Sequence, residues 1–169
     1  MAQRPNQAKS NIEVTLALPV DCIELADLSR TAIEYGLNWR WKPSRILGLI
    51  RDKDSSVIVA RTGSGELAGF AAMEFHQLHG HINLLATQLR FRRQGIGRQL
   101  IEWLEESARV AALNYLTLEV RSQNAGAVKF YEENGYTIQL LKSGYYEGRE
   151  DAYRMSHELI AADVAARRP

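Results

Sequence analysis

Along the chain, runs in which apolar and polar positions alternate give way several times to stretches in which apolar residues recur every three or four positions. NIEVTLAL, residues 11–18, is the first alternating run and predicts a strand. Asp21, shortly after a proline, opens a helical pattern in which Ile23, Leu25, Ala26, Leu28 and Ile33 fall at about helical spacing. Pro43 and Ser44 introduce a second, short helix over roughly residues 44–52. SSVIVART and ELAGFAAMEFHQL, on either side of Gly63-Ser64-Gly65, predict a hairpin, and HINLLATQL the next strand. Gly95 to Leu113 then reads as a long amphipathic helix whose apolar face is Ile96, Leu100, Ile101, Leu104, Ala108 and Ala111. After it come a strand YLTLEVR, a helix NAGAVKFYEENG closed by Gly135 as a left-handed cap, a strand YTIQLL and a last strand DAYRMSHEL. There is no internal repeat, low-complexity block or linker, so the elements predict one α/β domain over residues 11–158 with a mixed sheet. Residues 1–10, polar and carrying a proline, are expected to be a poorly ordered tail; residues 159–169, rich in alanine, suit a short helix.

Composition narrows the classes of function. A chain of 169 residues with 46% hydrophobic side chains supports one well-buried domain. Its 21 basic and 20 acidic side chains nearly cancel, so no overall field favours nucleic acid or an anionic membrane, and any basic site is local. Cys22 is the single cysteine; it forms no internal disulfide and reads as a small hydrophobe rather than a nucleophile. Without a signal-like start or a long apolar run, the expected location is the cytoplasm.

One local basic cluster stands out. RFRRQGIGRQL sets Arg90, Arg92, Arg93 and Arg98 around Gly95 and Gly97, between a strand and the N-terminus of the long helix. Glycines there let an anion approach bare N–H groups, which the helix dipole also favours, and the arginines add charge-assisted bonds. The alternative is a tight turn with solvated arginines. Two nucleotide readings fail: Leu100 stands where the dinucleotide fingerprint needs its third glycine, and no G-x-x-x-x-G-K-[ST] string occurs.

With those residues in view, the chain resembles the GCN5-related N-acetyltransferases (GNAT). Their acetyl-CoA motif, [RQ]-x-x-G-x-[GA], is matched by Arg92-Arg93-Gln94-Gly95-Ile96-Gly97. The resemblance implies a sheet of about seven strands, largely antiparallel, with about four flanking helices and a splayed central strand pair at the acetyl-CoA cleft. It implies that Leu85, Ala86 and Thr87 meet the pantetheine arm and that Arg93 to Arg98 hold the pyrophosphate. LEVRSQNAGAVKFYEENGY, followed by YYEGREDAYRM, is similar to the bacterial ribosomal-protein-alanine N-acetyltransferases. That likeness implies Glu119 as general base, Tyr131 as general acid and coenzyme contact, and Asn124 as a further coenzyme contact.

The residue pattern fits such a pair. Leu116, Leu118 and Val120 share one side of their strand, so Glu119 takes the other, facing a cleft. A solvated strand glutamate and a core tyrosine are the alternative readings. Trp39, Trp41 and Pro43 lie where this fold builds one wall of an acceptor groove, anchoring a loop to the core being the alternative; Tyr145, Tyr146, Glu150 and Asp151 lie in a later loop, where the two acids either attract a cationic terminus or simply end the loop and start a strand. The familiar P-W-[ST] element is here N-W-R-W-K-P-S. His76, His79 and His81 lack an acidic or cysteine partner at ligand spacing, so they read as surface histidines and no metal is expected. The arginines lack interleaved stacking aromatics, against a nucleic-acid partner. The sequence reading is therefore transfer of acetyl from acetyl-CoA to a primary amine, the N-terminal α-amine of a ribosomal protein first. A small amine or lysine side chain is the alternative acceptor, and a coenzyme-binding regulatory module without turnover the alternative of another class.

Overall fold

The computed structural model describes residues 11–159, so the two expected tails fall outside the described residues except for Leu159. The elements, in chain order, are β1 (Ile12–Leu16), α1 (Cys22–Ala32), α2 (Pro43–Arg51), β2 (Ser55–Thr62), β3 (Leu67–Phe75), β4 (His79–Thr87), α3 (Ile96–Val110), β5 (Tyr115–Arg121), α4 (Ala125–Glu133), β6 (Thr137–Tyr146) and β7 (Glu150–Glu158). The strands form one seven-stranded sheet in the order β1-β2-β3-β4-β5-β7-β6. β4 and β5 pair parallel; the other neighbours pair antiparallel.

Helices cover both faces of the sheet, which explains why β2 and β3 are apolar almost without alternation. Val57, Val59, Phe70, Leu84 and Ala86 pack against Leu25, Leu28 and Ile46 of α1 and α2. Ile58, Met73, Ile82 and Leu118 pack against Leu100, Ile101 and Leu104 of α3. Each such buried side chain contributes roughly 1.5–3 kcal/mol of transfer free energy.

The departures from the sequence reading have local causes. β4 begins at His79, ahead of the expected start at His81, and the α3 helix ends at Val110, leaving Ala111 exposed beyond it. Leu113 is buried instead, because Ala112 at φ 58° turns the chain back under the sheet. Ile23, expected on the apolar face of α1, is 63% exposed. β6 runs on past Leu141 to Tyr146, so Tyr145 and Tyr146 belong to a strand rather than to a loop. β7 opens at Glu150, one residue before the expected start at Asp151, so these two residues begin a strand, the alternative role the sequence left open. Between the two strands lie Glu147, Gly148 and Arg149; Glu147 and Gly148 sit at φ 57° and 70°, and Arg149 N–H donates to Tyr146 O at 3.0 Å, a tight turn that closes the hairpin at Tyr146↔Glu150. Glu-Gly is not among the usual sequence signals for that turn, which prefer Asn or Asp first.

Candidate functional site

The cleft originates in the one parallel strand pair. β4 and β5 stay bonded from His79↔Tyr115 to Ile82↔Leu118 and then part. At that point the β3 ladder steps from Met73↔Ile82 to Ala72↔Leu84, leaving Asn83 as the extra residue of a β-bulge, which bends and twists the strand. Beyond it Gln88 N–H donates to Ala68 O at 2.9 Å, so by the alternation of an antiparallel ladder Leu84 and Ala86 turn their main chain to β3. Leu85 and Thr87 turn theirs to the gap. Thr87 O there accepts from Arg92 Nε at 3.4 Å. Ala86 contributes its side chain to the core instead.

The gap opens into a cleft of about 440 Å³ between the α1–α2 segment, β4, β5, α4 and the end of β6. Glu119 lies on its floor with a side chain 5% exposed. Its Oε1 accepts from Lys142 Nζ at 2.8 Å and from Arg154 Nε and Nη2 at 3.0 and 2.6 Å. Oε2 lies 3.1 Å from His81 Nε2, and His81 Nδ1 is 2.9 Å from Thr117 Oγ1. Burial alone would raise the Glu119 carboxyl; the hydrogen bonds from His81, Lys142 and Arg154 outweigh it and hold the group well below the usual carboxylate range. His81, expected at the surface, is thus a lining residue. His79 stacks between His76 and Tyr115, with ring centroids 4.8 and 5.2 Å apart, away from the cleft. Among the described residues no group of three or more His, Cys, Asp or Glu side chains is placed to hold a metal.

Tyr131 reaches the same cleft from α4, 8% exposed and edge-on to Tyr136. Burial, then the neighbouring Tyr146, pushes its phenol far above the ordinary value, so it remains a protonated donor. Asn124 caps α4 by accepting Ala127 N–H at 3.1 Å, and its side chain also borders the cleft. A shallower recess lined by Thr31, Gln88 and Arg92 continues past Asn124 and Tyr35.

The glycine loop stands at the end of β4. Gly95 is the N-cap of α3 at φ 80°, and no side chain caps the helix. The first-turn N–H groups of Ile96, Gly97 and Arg98 therefore have no acceptor within the helix. A Cβ at Gly97 would come 3.1 Å from the Phe130 ring and 3.8 Å from Thr87 Oγ1, so the loop, β4 and α4 meet there. Arg93, at φ 63°, and Gln94 are exposed; Gln94 Nε2 donates to Arg90 O at 3.1 Å. Arg98 pairs with Glu102 at 2.8 Å, and Arg90 with Glu66.

On the acceptor side, Trp41 lines the cleft, whereas Trp39 packs on the second core and donates Nε1–H to Trp41 O at 3.1 Å. Tyr145 and Tyr146 line it from β6. Glu150 pairs with Arg121 at 3.5 Å and so ties β7 to β5, while Asp151 accepts Gly144 N–H at 2.7 Å and ties the hairpin together. Arg121 also donates to Ile33 O at 3.1 Å and Tyr35 O at 2.7 Å and lies 4.3 Å over the Tyr35 ring. Sequence reasoning missed Arg121, His81, Lys142 and Arg154. The signal for Arg121 was its place two residues beyond Glu119, on the same side of β5. Lys142 and Arg154 left none, because only the β5-β7-β6 pairing brings them to Glu119.

Comparison with known proteins agrees with this geometry. The E. coli (strain K12) [ribosomal protein bS18]-alanine N-acetyltransferase is 34% identical over 98 residues, 56% of this chain. The match spans 66% of that relative's length. Ard1 from Thermoplasma volcanium superposes with a TM-score of 0.79 at 26% identity, over 88% of this chain and 98% of that one. PaiA N-acetyltransferase from Thermoplasma acidophilum, solved in complex with coenzyme A, shares the fold at a TM-score of 0.73 and 19% identity, over 88% and 99% of the two chains. The acetyltransferase (GNAT) family model matches residues 23–136, from α1 through the parted strands and the glycine loop to the end of α4. The chain belongs to the acetyltransferase (GNAT) family.

Proposed function

We propose that the protein transfers acetyl from acetyl-CoA to the terminal α-amine of a protein, a ribosomal protein beginning with alanine being the acceptor its E. coli relative's name suggests. The observation that carries this reading is the cleft that holds Glu119 and Tyr131 together and reaches Leu85 where β4 parts from β5. A second recess, which shares Asn124 and Tyr35 with it, takes in Gln88 and Arg92 of the segment that leads to the uncapped N-terminus of α3. The helix N-terminus with Gly95 to Arg98 suits a pyrophosphate, and the main chain of Leu85 and Thr87, turned to the gap, suits the amides of a pantetheine arm.

In this reading the neutral amine attacks the thioester carbonyl, and a main-chain N–H near Thr87 stabilises the developing oxyanion. The carbon–sulfur bond breaks, and Tyr131 protonates the leaving thiolate. The proton lost by the amine moves toward Glu119, directly or through a water. So strongly paired a carboxylate is a weak base. It suffices because an α-amine, with a reference pKa of about 7.7–8.0, is partly neutral at pH 7 while a lysine amine near 10.4 is not.

The test is mass gain on peptides beginning with alanine, beside internal-lysine peptides and polyamines, with CoA release followed in the same tubes. Acetylation confined to the terminal amine is the expected outcome. Activity only on lysine or small amines overturns the acceptor class while keeping the coenzyme site. Binding of acetyl-CoA without CoA release on any amine would instead mark a regulatory module.

A further inference from the structure

The two walls of the acceptor groove are tied together at two depths. Inside, Arg121 holds Ile33 O, Tyr35 O and the Glu150 carboxylate. At the mouth the link is Glu147, whose Oε1 accepts the main-chain N–H of Asn38 at 2.8 Å, across 109 positions of sequence. Both residues line the cleft, Asn38 from the α1–α2 segment and Glu147 from the turn between β6 and β7. Among the described residues this is the one direct hydrogen bond between that segment and the turn.

The backbone beneath Glu147 gives that bond its weight. Glu147 sits at φ 57°, in the left-handed region, where a residue other than glycine is strained and asparagine or aspartate is the usual exception. Either of those would ease the turn, yet each is one methylene shorter than glutamate. Strained residues persist where the surrounding structure holds them, and they collect at functional sites. What the strain secures here is reach: the longer side chain spans the mouth to the Asn38 N–H. A carboxylate acceptor also makes the bond charge-assisted and so stronger than a neutral one.

We propose that Glu147 is a positioning residue for the acceptor: its bond to Asn38 clasps the two walls at the mouth and sets the spacing in which the acceptor's first residues lie. The proposal rests on reading the cleft as an N-terminal acetyltransferase site and deepens it. Glu147 touches no reacting atom. It acts through Tyr35 and Leu37 on one wall and Tyr145 and Tyr146 on the other, which line the way to Glu119. With the clasp broken the walls are free to part at the mouth, and an acceptor peptide then loses more conformational freedom on binding. The chemistry at Glu119 and Tyr131 is unaltered, and the recess of Gln88 and Arg92 is lined by neither Asn38 nor Glu147.

The experiment compares the wild-type chain, Glu147→Gly and Glu147→Gln in kcat and KM on a peptide beginning with alanine, with acetyl-CoA affinity and thermal unfolding measured on the same preparations. Glycine relieves the backbone while deleting the clasp, so Glu147→Gly should unfold close to the wild-type midpoint. Its peptide KM should rise about two- to tenfold, the net effect of one hydrogen bond, while kcat and acetyl-CoA affinity hold. Glu147→Gln keeps the strain and an acceptor oxygen of the same reach, and should recover most of the wild-type KM. A peptide KM unchanged in Glu147→Gly, or raised equally in both variants, overturns the clasp and leaves the terminal-amine reading standing. A matching fall in acetyl-CoA affinity would make Glu147 a general structural residue and overturns the clasp as well. Acetylation of small amines by the wild-type chain with no peptide modified overturns both.

Discussion

At the scale of single residues, Glu119 is more heavily bonded than a working base needs to be. Its carboxyl, held well below the usual range, stays ionised throughout neutral and mildly acidic pH. The acid limb of kcat/KM is therefore expected to follow the acceptor amine, near 7.7–8.0 for a terminal amine, and not a carboxyl near 4.3. A pH–rate profile on acceptors of different amine pKa checks this; a fixed limb between pH 4 and 5 would count against it. Glu119→Gln should lower turnover about 10²–10⁴-fold, the span typical of lost acid–base catalysis, with acetyl-CoA binding retained in a calorimetric titration. An unchanged rate would remove Glu119 from the mechanism. Glu119 and Tyr131 were legible in the sequence because a family motif carries them, and the structure brings both to one cleft. The cations that set the carboxyl's character were not legible. Arg154 lies directly across the ladder from Glu119 yet 35 positions away in sequence, and no local pattern encodes that pairing.

At the scale of elements, the glycine loop works through backbone shape. Gly95 has open space around it but sits at φ 80°, where an L side chain is strained. Gly95→Ala should cost about 1–2 kcal/mol in the native fold and weaken acetyl-CoA binding by distorting the first turn of α3. Thermal unfolding and acetyl-CoA titration of the variant measure the two effects; unaltered affinity would mean that the loop does not hold the coenzyme. Strand-to-helix order was readable throughout because the periods differ so clearly, most of all in α3. The strands β6 and β7 were readable too, but the run of β6 past Leu141 and the tight turn after it were not, since Lys142 to Tyr146 show no steady alternation and β6 lies at the sheet edge, exposed along most of its length.

For the whole molecule, the Glu119 cluster ties stability to pH. A carboxyl whose folded pKa is depressed adds stability that is fully present above its unfolded pKa, about 4.3, and is lost as pH falls toward the folded value. Below about pH 4 the wild-type protein should thus lose stability faster than Glu119→Gln does. Denaturant unfolding at pH 7 and at pH 3 tests this, and parallel losses in the two proteins would contradict it. The mixed α/β class and the parting of β4 from β5 followed from pattern and resemblance. The joining of the two acceptor walls did not, because it depends on Arg121 meeting Ile33 O, Tyr35 O and Glu150 across distant parts of the chain. That shared guanidinium makes the walls genetically interdependent. A substitution that shifts the Tyr35 segment alters what Glu150 can grip, so paired changes across the cleft should show strong epistasis, and a lineage drifting toward a new acceptor would have to remodel both walls in step.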